Sequence, residues 1–163
     1  MKTSIGLLSV AFATLAFADT ISDNVRNICE TSDSSPYLHN VNEMIDNLKD
    51  AEIGESTCNP TTNGCGETIT DYSGEGGAAF MLCGSGMRCS GDPGGMPCAG
   101  GGCGGMAYRG MPDYLEPLRD ECQSPDSNGD IRVGGIVKMM AYNHDGTPDE
   151  DTYDELKLFS KPG

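Results

Sequence analysis

Eight cysteines carry the clearest chemistry in this chain: Cys29, Cys58, Cys65, Cys83, Cys89, Cys98, Cys103 and Cys122. A thiol can form a disulfide, ligate a metal or act as a nucleophile, and number and spacing separate the three. Zinc sites favour Cys pairs two to four residues apart, often joined by His. Here only Cys98 and Cys103 are close, with four residues between them, and His39 and His144 lie far away in sequence. An even number of cysteines and a small core favour four disulfides, with their connectivity left open. A cysteine nucleophile does not fit an even count in an oxidising compartment.

Other reactive patterns are weaker. Gly100, Gly102 and Gly105 match a dinucleotide-binding fingerprint, but no strand–helix junction surrounds them and a Gly-rich segment produces the pattern by chance. Asp126, Asn128 and Asp130 resemble the start of a calcium loop. Its sixth position should be Gly and its twelfth a bidentate acid; these are Ile131 and Val137, so a hairpin turn is the better reading. Asp145, Asp149, Glu150, Asp151, Asp154 and Glu155 form an acidic run that reads as a solvated loop, with a weak calcium site as the alternative. Ser85 lacks the spacing of a nucleophile elbow. His39 falls on a helix surface and His144 in a turn. Acids are abundant enough to supply a glycoside-cleaving pair, although Trp, a common sugar platform, is absent. No cofactor or metal site follows.

The compartment comes from the first residues. Lys2 begins an n-region, Ile5 to Phe17 is apolar, and Ala16-Phe17-Ala18 is a cleavage signature, so residues 1–18 read as a signal peptide cut before Asp19. Residues 19–163 are then a single cysteine-rich secreted domain. Export and oxidised cysteines support each other. The full chain has 25 acidic and 10 basic residues, for a formal charge of -15. The leader takes away one lysine and no acid, leaving -16. Such a charge repels phosphate backbones, which excludes nucleic-acid binding through a basic surface. No apolar run reaches the roughly 18 residues that a membrane span requires.

The elements that position these residues can be read from periodicity. Thr20 to Cys29 suits an edge strand or an arm. Ser34-Ser35-Pro36 reads as a helix start, with a capping hydroxyl and Pro at the first helical position. Leu38, Val41, Ile45 and Leu48 then make one apolar stripe, and Glu43, Asp46, Asn47 and Asp50 the wet face. Glu55 to Gly66 reads as a turn-rich link, Glu67 to Tyr72 as a strand, and Gly77 to Cys83 as a buried strand. Gly84–Gly110 has 11 glycines among 27 residues and reads as a stapled insertion. Pro112 opens a second helix with Leu115, Leu118 and Cys122 inward; Pro117 is awkward within it. Ile131 to Tyr142 follows as a strand with a bulge at Gly134-Gly135, and Thr152 to Ser160 as a last strand. The expectation is an α+β fold: a small disulfide-stabilised antiparallel sheet with two helices on one face, on a split βαβ plan.

Cys29 before the Pro36–Asp50 helix, the strand end Ala78-Ala79-Phe80-Met81-Leu82-Cys83-Gly84, and Cys122 followed by Val133-Gly134-Gly135 carry a family likeness. Over roughly residues 29–142 the chain resembles the small secreted cysteine-rich proteins of filamentous fungi. Within them it is most similar to effector candidates with a killer-toxin-like α/β sandwich. The Gly84–Gly110 insertion and the acidity depart from basic toxin relatives. The resemblance implies a secreted, non-enzymatic effector or virulence-type protein that binds a host or competitor protein or cell-surface component. A killer toxin or antimicrobial protein is the alternative; a small hydrolase using paired carboxylates and a calcium-binding wall protein follow.

Overall fold

The computed structural model describes residues 22–59, 64–74, 77–84 and 104–161. Residues 1–18, which the sequence reading takes as a signal peptide, and most of the Gly-rich insertion therefore lie outside the described residues.

In chain order the elements are β1 (Val25–Cys29), α1 (Leu38–Lys49), β2 (Ser56–Asn59), β3 (Gly64–Ile69), β4 (Ala78–Gly84) and β5 (Gly104–Ala107). A 3-10 turn (Tyr108–Gly110), α2 (Pro112–Cys122), β6 (Ser124–Pro125), β7 (Ile131–Arg132), β8 (Gly135–Tyr142) and β9 (Pro148–Ser160) complete them. Five strands form the main sheet in the order β1-β8-β9-β4-β3, and every neighbouring pair is antiparallel. Two small ribbons, β2-β5 and β6-β7, stand beside it.

Alternation in the strands decides the core. Phe80 and Leu82, Val137 and Met139, and Leu156 and Leu158 point to one side of the sheet. They meet Val41, Met44, Ile45 and Leu48 of α1 and Leu115, Leu118 and Cys122 of α2 in one buried cluster. The expected helical stripes are thus the buried ones, with Met44 added. α2 lies against β1 and β8, while α1 meets α2 and β4. The α+β class with an antiparallel, disulfide-bearing sheet agrees with expectation; the helices press on each other as well as on the sheet.

Several local readings are corrected. The cap of α1 is Tyr37, which makes no side-chain capping bond. Ser35 instead accepts the backbone N–H of Ser32 with its hydroxyl, so the Ser34-Ser35-Pro36 segment is a turn ahead of the helix. The Glu55–Gly66 link holds β2 and the start of β3. The strand expected over Ile131 to Tyr142 is split at Val133-Gly134, so that β7 closes a hairpin and β8 joins the main sheet. The split βαβ plan is met at α2: β4 and β8, the main-sheet strands before and after it in the chain, run parallel with β9 between them. Of the Gly84–Gly110 insertion, its end forms β5 and the 3-10 turn.

Candidate functional site

Among the described residues, two disulfides are formed. Cys29 at the end of β1 joins Cys122 at the end of α2, and Cys65 joins Cys83 directly across β3 and β4. Cys89, Cys98, Cys103 and the side chain of Cys58 lie outside the described residues. So do Ser85, Gly100 and Gly102.

The acidic motifs are occupied as turn formers. Asp126 Oδ1 accepts the N–H groups of Asn128 (2.8 Å) and Asp130 (3.0 Å), while its Oδ2 accepts Arg132 Nε at 2.8 Å. The Arg132 bond, aided by the two amides, lowers the Asp126 pKa against the cost of burial. Asp145 accepts the hydroxyl and N–H of Thr147, which lowers its pKa. Glu150 bridges Arg26 and Lys138, each at 3.0 Å. Those cations are direct cross-strand neighbours, so Glu150 relieves a like-charge pairing, and its own pKa is lowered, chiefly by the Lys138 bond. Among the described residues, no group of three or more His, Cys, Asp or Glu is placed to hold a metal.

Among the described residues, two grooves are places where a ligand can be held. The first, about 470 Å³, is lined by Tyr37, Leu38, His39, Asn42, Asp130 and Ile131. The Arg132 guanidinium lies 3.4 Å over the Tyr37 ring, and His39 stacks beside that ring at 5.5 Å. Arg132 is fixed in turn by Asp126 and by the Ser35 carbonyl at 2.9 Å. Both ends of this groove are therefore set by the β6-β7 hairpin and the turn before α1. His144, at the far β8-β9 turn, takes no part in it.

The second groove, about 230 Å³, runs between β1 and the start of α2. Val25, Pro117 and Tyr114 give it an apolar lining, and Ser22, Asn27 and Asp113 its polar groups. Asn27 donates from Nδ2 to Glu121 Oε2 at 2.8 Å, which ties the strand to the helix. Its Oδ1 is buried and has no hydrogen-bond partner among the described residues. Among the described lining residues, each groove holds a single carboxylate, Asp113 in one and Asp130 in the other.

No family model, curated protein or solved structure matches the chain. The site is consequently read from its own geometry. Sequence reasoning singled out neither Asn27 nor the Tyr37–Arg132 stack. An Arg six residues after Asp126, across a turn, is the one local signal that could have pointed to the ion pair.

Proposed function

We infer that this is a secreted, non-enzymatic interaction protein of the cysteine-rich effector type, which binds a host or competitor component through loops and grooves held by a crosslinked frame. The observation that carries this reading is the location of the grooves. Both lie between elements fixed by crosslinks or buried ion pairs: Cys29–Cys122 beside one, Asp126–Arg132 beside the other. Preorganised surfaces lose less entropy on binding, which suits recognition. The apolar leader and the disulfides support export; no helix among the described residues is long and apolar enough to cross a membrane.

The test is deletion of the gene in the source organism, complemented by the oxidised protein. Impaired colonisation of a host, restored by the protein, is the expected result. Unchanged colonisation overturns the reading. Growth inhibition across a panel of microbes, with colonisation unaffected, would move the assignment to an antimicrobial toxin.

A further inference from the structure

Among the described residues, the outer side of β1 is an open sheet edge. β1 pairs only with β8 among the described residues. The ladder bonds at its ends involve Asn24, which accepts Met140 N–H at 2.8 Å, and Glu30, which donates to Gly134 O at 3.0 Å. Antiparallel pairing alternates, so even-numbered positions face β8 and odd ones face away. The Val25 N–H is bonded to Ser22 O. The carbonyl of Val25, both backbone groups of Asn27 and the N–H of Cys29 therefore point outward, a template for a further strand.

The groove between β1 and α2 lies beside that template. In a sheet, side chains directly opposite share a face, so a residue paired with Val25 or Asn27 would extend towards this groove. The lining specifies what fits. Val25, Pro117 and Tyr114 suit an aliphatic stem. At the polar positions stand the Asp113 carboxylate and Asn27, whose buried Oδ1 has no donor among the described residues. A long side chain with an apolar stem and a donor-only head is Lys or Arg. The formal charge of -15 attracts such a partner at long range.

We propose that the β1 edge binds an extended basic peptide segment by strand addition, with a Lys or Arg side chain seated between β1 and α2. This rests on the interaction reading above and names the partner chemistry for one of its two grooves.

The probe is a capped six-residue peptide of alternating Lys and Val, titrated into the oxidised protein and followed by NMR. Saturable binding should slow hydrogen exchange at the Asn27 and Cys29 amides. N-methylation of alternate peptide amides should abolish it, since strand addition uses the backbone. Replacing Lys by Glu in the peptide should weaken binding about tenfold or more, as loss of a charge-assisted bond does. Asp113→Asn should weaken the Lys peptide several-fold; Asp113 is exposed, so folding is retained. Asn27→Ala should do the same. Absence of binding, binding that survives methylation, a preference for the Glu peptide, or a dimer through β1 that the peptide cannot displace would each overturn the proposal. Failed peptide binding alongside impaired colonisation on deletion removes this inference alone. Peptide binding with unimpaired colonisation removes the effector reading and leaves the site.

Discussion

The two edges of the main sheet are secured differently. At the β1 edge, Cys29–Cys122 closes a span of 93 residues and fastens the strand to a helix. At the β3 edge, Cys65–Cys83 closes a span of 18 residues and fastens the strand to the neighbour it already pairs with. β2 also meets β3, with Asn59 Nδ2 donating to Gly64 O at 3.0 Å. One bridge thus joins distant parts of the chain and, among the described residues, leaves the outer backbone of its strand open. The other reinforces a local hairpin. The same bond acts on topology in one place and on a single strand pair in the other.

Loop closure gives the contrast a size. Restricting the unfolded chain contributes about 4.7 kcal/mol for the long span and about 3.2 kcal/mol for the short one. Folded proteins of this size hold only about 5–15 kcal/mol in total. The double variant Cys29→Ala/Cys122→Ala is therefore expected to show the largest loss, close to global unfolding at 37 °C. Urea unfolding by circular dichroism measures it. Cys65→Ala/Cys83→Ala should lose less and keep a cooperative transition. If the short bridge proves the costlier to remove, the contrast is reversed, and native packing at β3 outweighs chain entropy.

Glycines at strand contacts sharpen the comparison on a smaller scale. A Cβ on Gly84, at φ +140°, would run into the Tyr153 carbonyl oxygen and come 2.8 Å from Asp154 Cα. A Cβ on Gly135 would meet Ile28 O at 2.5 Å, on the β1 side. Both obstacles are backbone, so the strand itself must move. Gly84→Ala and Gly135→Ala are each expected to cost about 1–3 kcal/mol, read as a lowered melting temperature. Gly110→Ala meets nothing within 4 Å and should stay within about 0.5 kcal/mol. A larger loss for Gly84→Ala than for Gly135→Ala would identify the β4-β9 contact as the less yielding one.

What could be read in the sequence follows the same division between local and distant causes. The α1 stripe, the Ala78–Cys83 run and the Asp126–Asp130 turn announce themselves because a few adjacent residues decide them. β2 and β5 do not. Ser56-Thr57-Cys58-Asn59 and Gly104-Gly105-Met106-Ala107 lack alternation, and their strand state comes from pairing with each other across the chain. β9 starts earlier than expected because Pro148–Asp151 looked like a solvated acidic loop, yet Asp149 and Pro148 pair with Ala141 and Tyr142. The groove beside β1 was hidden for a related reason. Asn27 acquires its meaning from Glu121, 94 residues away, and no motif links the two.

Acid is the mildest probe of the contrast, and it acts on the side of the molecule that holds the β6-β7 hairpin. Asp126 has 1% of its side chain exposed and is bonded to Arg132. Its pKa is lowered from 3.8 by the fold, chiefly through that bond. A carboxylate with a lowered folded value stabilises fully above its unfolded value and loses that contribution as pH falls through the folded one. Stability should therefore drop below about pH 4 in the parent protein. Asp126→Asn removes the titrating group, so its urea midpoint should fall below that of the parent at pH 6 and approach it at pH 3. The Cys65→Ala/Cys83→Ala variant should keep the acid response of the parent, since its bridge lies at the other edge. Parallel curves for Asp126→Asn and the parent would show that the hairpin is held by its turn amides alone. The Arg132–Tyr37 stack would then depend on packing, and the groove beside it would keep its shape in acid.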